Sequence, residues 1–161
     1  NSDFYEKLLG NEYNYIVTMP NTPISICEGV LLCEENHRLN EEQLDSFMKI
    51  FSAVARVEFI DSKVFSVAGT ISGCGPAFVA MFIEALGDAG VKYGLKRDVA
   101  YRLASKVVSG TGELQLATGA HPAAMKDTVC SPGGTTIKGV TSLEENGFRA
   151  AVIKAIDAIE K

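Results

Sequence analysis

Between His121 and Phe148, the six residues Ser131-Pro132-Gly133-Gly134-Thr135-Thr136 bring three hydroxyl side chains and two adjacent glycines together. Apolar helical spacing ends near Val129 and resumes around Thr136, which puts this stretch at a helix entrance. The first N–H groups of a helix have no intrahelical acceptor, the macrodipole adds about half a positive charge there, and glycine lets a ligand come close to the backbone. A small carboxylate or a phosphate suits such a seat. The same six residues also read as a turn alone, with Ser131 or Thr135 capping the helix and Pro132 fixing φ.

Other reactive side chains are sparse. Cys27, Cys33, Cys74 and Cys130 stand far apart with no Cys-x-x-Cys pair, and are expected to be free thiols behaving as small hydrophobes. Only Cys130, beside Ser131, has a neighbourhood that suggests reactivity, and no histidine accompanies it in sequence. His37 and His121 are the two histidines, and no carboxylate–histidine spacing shares a helical face, so no metal site is expected.

A chain of 161 residues with 47% hydrophobic content can build one sizeable core, or one domain plus a piece of another. The formal net charge is −5 and no Lys/Arg block interleaves with aromatics, which argues against nucleic acid and a membrane surface as partners. Uninterrupted apolar runs read as too short to cross a bilayer, and no secretory pattern is seen. A soluble protein of the reducing cytoplasm is the expectation.

The elements that must carry the glycine turn fall into two kinds. Asn1 to Gly10 has a short helical pattern, followed by a polar turn at Asn11-Glu12. Tyr15–Met19 reads as a strand that stops at Pro20-Asn21-Thr22-Pro23, and Val30–Cys33 as a second. Asn40 caps a helix with Gln43 at the reciprocal position of a capping box, and Leu44, Phe47, Met48 and Phe51 form its apolar stripe. Arg56–Ile60 makes a third strand. Residues 1–61 are thus α/β in pattern but supply too few strands for a doubly wound sheet, and read as the tail of a domain.

From Ser62 onward every segment has helical spacing. A short helix at Val64–Ile71 is expected to break at Ser72-Gly73-Cys74-Gly75, with Pro76 opening a long helix to about Tyr93. Ala77–Ile83 is apolar on every side, and a domain of about a hundred residues has few helices to cover it, so a partner subunit is the natural cover. Further helices begin near Asp98, Pro122, Thr136 and Phe148. The fold class is therefore mostly α: residues 62–161 are an all-helical domain, preceded by the C-terminal end of an α/β domain.

Four separated motifs occur in register: Met19-Pro20-Asn21-Thr22-Pro23, Ser72 to Phe78, Glu84 to Val91, and His121-Pro122 through Ser131 to Thr136. In that order they closely resemble the pyrroline-5-carboxylate reductases, from about Tyr5 to the chain's end. The resemblance implies a Rossmann domain followed by a helical dimerisation domain, and reduction of the cyclic imine 1-pyrroline-5-carboxylate to L-proline with NADPH or NADH. It implies a homodimer through the helices, with larger assemblies of dimers. It also implies that Ser131, Gly133, Gly134 and Thr135 hold the substrate carboxylate while Thr136 bonds the ring nitrogen. Asn21 and Thr128 would border the cofactor, although Asn21 reads equally well as a structural turn residue.

One departure is large: no Gly-x-Gly-x-x-Gly follows a strand anywhere in the chain, whereas members of the family carry that turn near the N-terminus. The resemblance then implies a fragment that binds cofactor weakly or not at all and is inactive alone. Glu84 and Asp88 read as a solvated or ion-paired couple, and His121 as a helix cap. A non-catalytic helical oligomerisation module of the same fold is the alternative. A hydroxy-acid dehydrogenase ranks last, because Lys92 is the long helix's only lysine and sits at its far end.

Overall fold

The computed structural model describes residues 2–10 and 12–161. Asn1 and Asn11, which open the expected N-terminal helix and the expected polar turn, lie outside the described residues. The chain divides into two compact units, Asn1–Pro76 with Ile156–Lys161, and Ala77–Ala155.

In the first unit, helix α1 (Ser2–Leu9) is followed by strand β1 (Thr18–Pro20), a 3₁₀ turn (Thr22–Ile26), strand β2 (Gly29–Glu34), helix α2 (Glu41–Phe51) and strand β3 (Ala55–Ile60). The sheet order is β1-β2-β3, with β1 antiparallel and β3 parallel to β2. Leu31, Cys33 and Ala55 are buried, and Phe47 and Phe51 of α2, whose rings lie 4.6 Å from each other, pack on them. The run Val30-Leu31-Leu32-Cys33 is apolar without alternation because β2 is the central strand. At α2 the expected capping box is present: Asn40 Oδ1 accepts from the Gln43 N–H at 2.9 Å, and Gln43 Oε1 accepts from the Asn40 N–H at 3.1 Å.

Two expectations for this unit need correction. The first strand is Thr18–Pro20 rather than Tyr15–Met19. The Tyr15 and Val17 carbonyls still accept from the Arg38 and Glu34 N–H groups, but β2 ends at Glu34 and offers no ladder beyond it. Pro20 is tolerated inside β1 because β1 is an edge strand.

The second correction concerns Ser72-Gly73-Cys74-Gly75, which does not break the helix. Helix α3 (Phe65–Gly69) continues through a π turn (Thr70–Cys74) into helix α4 (Gly75–Lys92). The result is a continuous helix of 28 residues, Phe65–Lys92, which is long and apolar enough to cross a membrane by length and composition, contrary to the reading from uninterrupted runs.

The second unit is helical. Helix α5 (Arg97–Thr118) is followed by α6 (Pro122–Thr128), α7 (Thr135–Glu145) and α8 (Phe148–Glu160), the last turn of α8 belonging to the first unit. Asp98 does not cap α5, since Lys96 takes that position; Asp98 lies in the first turn and pairs with Arg102 at 2.8 Å. Gly87 of α4 faces Tyr101 of α5 so closely that a β-carbon at 87 would strike the ring. Gly90 of α4 likewise leaves a would-be β-carbon only 3.0 Å from Ala100 of α5, so small residues set the approach of the two helices.

Candidate functional site

The glycine turn lies wholly within the second unit, between α6 and α7. Helix α6 is fixed at its start by His121, whose Nδ1 accepts from the Ala123 N–H at 3.2 Å, with Pro122 in the first helical position. At its end the Thr128 hydroxyl donates to the Met125 carbonyl at 2.6 Å.

Ser131 to Gly134 then form a turn closed by the Gly134 N–H donating to the Ser131 carbonyl at 3.0 Å. Pro132 occupies the second position, and Gly133 the third with φ of +69°, which is the sequence and geometry of a type II turn. Gly133 is glycine for its left-handed backbone. Gly134 has φ −68° and ψ 173°, which any residue adopts, so its reason is space. A β-carbon there would collide with the Ser131 hydroxyl and lie 3.1 Å from the Ser131 carbonyl oxygen.

Gly134 is also the N-cap of α7, and with no side chain it makes no capping bond. The expected caps, Ser131 and Thr135, do not serve: Thr135 is the first helical residue. The N–H groups of Thr135, Thr136 and Ile137 consequently meet no acceptor among the described residues, at the positive end of the helix dipole. Of the N–H groups that the family resemblance assigns to a carboxylate, that of Gly134 is engaged inside the turn, while those of Gly133 and Thr135 meet no acceptor among the described residues. Ser131, Thr135 and Thr136, the three hydroxyl residues of this stretch, are exposed. Nearby, the Lys126 ammonium is held above its usual range, chiefly by its hydrogen bond to Asp127. The arrangement can bind a compact anion through backbone donors and orient a second polar atom with a hydroxyl.

Ser131, Gly133, Gly134, Thr135 and Thr136 are thus gathered around one helix entrance, and Thr128 lies on the preceding helix. Asn21 is in the other unit. Its Oδ1 accepts from the Val30 N–H at 2.9 Å and its Nδ2 donates to the Ser72 carbonyl at 3.1 Å, so its amide already ties the strand end to the π turn. Sequence reasoning missed that link because it joins residues 51 apart. Asp88, expected to be solvated or ion-paired, meets Arg97 at 2.6 Å.

The same unit has an apolar groove of about 580 Å³ formed by α4, α7 and α8, with Phe78, Met81, Phe82, Leu143, Phe148 and Val152 on its walls. The Phe82 and Phe148 rings meet with centroids 5.9 Å apart, tilted by 45° to one another. Met81 remains 68% exposed and Val152 46%, which leaves this face without a cover in one chain.

Strands ending an α/β domain, followed by long helices with an uncovered apolar face, define a helical dimerisation domain preceded by the end of a Rossmann domain. Residues 62–161 match the family model described as pyrroline-5-carboxylate reductase dimerisation, and the chain belongs to that family. It is 49% identical over 144 residues to the pyrroline-5-carboxylate reductase of Treponema pallidum, covering 89% of this chain and 55% of that protein. It is 42% identical over 154 residues to the Escherichia coli enzyme of the same name, covering 96% of this chain and 57% of the relative. Among solved structures, a pyrroline-5-carboxylate reductase from Coxiella burnetii aligns with a TM-score of 0.89 at 31% identity, over 99% of this chain and 59% of that one. The Plasmodium falciparum pyrroline carboxylate reductase with NADP bound gives 0.86 at 36%, over 99% and 64%. The chain thus spans somewhat more than half the length of the curated relatives it matches.

Proposed function

We propose that this chain provides the substrate seat and the dimer interface of a pyrroline-5-carboxylate reductase, the NAD(P)H-dependent imine oxidoreductase that makes L-proline. The observation that carries the proposal is the glycine N-cap of α7, which makes no side-chain capping bond and has the Ser131 hydroxyl against it. Residues 62–161 form the substrate-binding and dimerising domain, and residues 1–61 end the nucleotide-binding domain.

In this reading the carboxylate of 1-pyrroline-5-carboxylate rests on the N–H groups of Gly133 and Thr135, with the Ser131 hydroxyl closing over it and Gly134 keeping the seat clear. The Thr136 hydroxyl bonds the ring nitrogen. A threonine hydroxyl is a poor acid, so the imine arrives protonated or takes its proton through water, and Thr136 orients the ring. The nicotinamide supplies hydride to the imine carbon. This chain alone does not fit a whole dinucleotide: among the described residues no glycine-rich strand-to-helix turn is present to cradle a pyrophosphate, and the Asn21 amide is already engaged. In this reading Asn21 and Thr128 are the residues of this chain that border the cofactor.

The family's dimerisation domain supports a homodimer. We place its interface on the groove of α4, α7 and α8, and expect dimers to assemble further in the cytoplasm. A second subunit accounts for the apolar Phe65–Lys92 helix better than a bilayer does, because the uncovered face continues onto α7 and α8.

The test joins this chain to the N-terminal portion of a relative and follows NADPH oxidation. Turnover that depends on pyrroline-5-carboxylate is the expected result. A stable dimer with no turnover and no binding of proline would favour a helical oligomerisation module.

A further inference from the structure

Pro76 is the second residue of α4 and has no N–H to give. In an unbroken α-helix the residue at 76 would donate to the Ser72 carbonyl four positions earlier. That carbonyl instead accepts from Asn21 Nδ2 at 3.1 Å, and the helix widens into the π turn Thr70–Cys74 just before the proline. Asn21 is held on the opposite side by the Val30 N–H on Oδ1 and by its own N–H donating to the Val30 carbonyl at 3.2 Å.

Two more contacts converge on the same π turn. Met19, two residues before Asn21, packs its sulfur on Gly69, where a β-carbon would sit only 2.9 Å away. The buried Thr70 hydroxyl donates to the Glu160 carboxylate at the end of α8. Every one of these groups belongs to the first compact unit.

We infer that Asn21 is a positioning residue: its side-chain amide supplies the hydrogen bond that Pro76 cannot, and so fixes the π turn at the root of α4 to the end of β1. The pair explains why a proline stands inside a continuous helix. Without an N–H at 76 the Ser72 carbonyl needs an outside donor, and Asn21 is placed to give one. A π turn inserts one residue into the helix, so the clamp also sets the helical phase at Pro76, where the apolar run of α4 begins. The consequence for catalysis rests on the reductase reading: Asn21 acts on the cofactor by holding the Pro20–Pro23 turn in place through Ser72.

The test is a double-mutant cycle in the intact protein. Asn21→Asp keeps an oxygen for the Val30 N–H but turns an acceptor toward the Ser72 carbonyl. It should lower Tm by about 5 °C and raise the KM for NADPH about tenfold, leaving the KM for the imine unchanged. Pro76→Ala restores a donor to Ser72, so the double variant should recover at least about half of both losses. Losses that simply add would overturn the inference. Should Asn21→Asp fail to fold, the crystal structure of Pro76→Ala decides. The π turn should relax to α, with the new backbone N–H at position 76 donating to the Ser72 carbonyl; an unchanged π turn still bonded to Asn21 would contradict the assignment. Tm and structure do not depend on turnover. A parent protein without imine reduction therefore defeats the reductase reading and leaves the clamp standing, whereas activity without coupling defeats the clamp alone.

Discussion

The Ser131 hydroxyl occupies the space that a β-carbon on Gly134 would need, and the Ser131 carbonyl oxygen lies 3.1 Å from the same point. Gly134 is fixed by this crowding, since its backbone angles are open to any residue. Gly134→Val must displace the Ser131 side chain and push into the anion seat. The expected result is a rise in the KM for pyrroline-5-carboxylate of about tenfold or more, the scale of losing one or two charge-assisted hydrogen bonds. Normal saturation by substrate would reduce the six residues to a turn.

Thr136 sits in the first turn of α7, one residue past Thr135, and is exposed. Thr136→Ala should lower kcat by about ten- to a thousandfold, the usual range for one positioned hydrogen bond at a reacting centre. Thr136→Ser should recover most of that loss. Steady-state rates with the imine and NADPH check both, and unchanged turnover in the alanine variant would remove Thr136 from the site.

The groove between α4, α7 and α8 should be dry in the dimer. Val152→Lys places a charge on its wall without filling the core of a single chain, since Val152 is 46% exposed. Burying an unpaired ammonium costs several kcal/mol. Sedimentation should show that this variant is monomeric with its helical circular dichroism retained. A dimer of undiminished affinity would move the interface elsewhere.

Cys33 is buried in the central strand, and burial alone pushes its thiol from 9.0 to about 11. The unfolded chain sheds this proton from about pH 9 upward while the folded chain keeps it, so the contribution is fully present below pH 9 and is lost as pH rises toward 11. Denaturant titrations should show stability falling across that window, with a shallower fall in Cys33→Ala. At neutral pH, alkylation should label the exposed Cys27 and spare Cys33.

What the sequence disclosed was local. The capping box at Asn40 and Gln43, the His121 cap and the glycine turn are each written within a few residues, and the structure holds all three. The family motifs carried the rest of the fold class. Features that depend on distant partners were not legible. Ser72-Gly73-Cys74-Gly75-Pro76 reads as a break because nothing local shows that Asn21 will meet the carbonyl left by the proline. The first strand was misplaced for a similar reason, since where β2 ends decides where β1 can pair. Gly134 was legible as a glycine but not as a cap, which needs the position of the first helical residue.

In the proposed reductase the entrance of α7 grips the carboxylate of a five-membered ring. A crystal structure of the intact protein soaked with L-proline measures this directly. The carboxylate should lie within hydrogen-bond distance of the Gly133 and Thr135 N–H groups, with the ring nitrogen beside the Thr136 hydroxyl. Proline bound elsewhere, with that entrance holding only water, would contradict it.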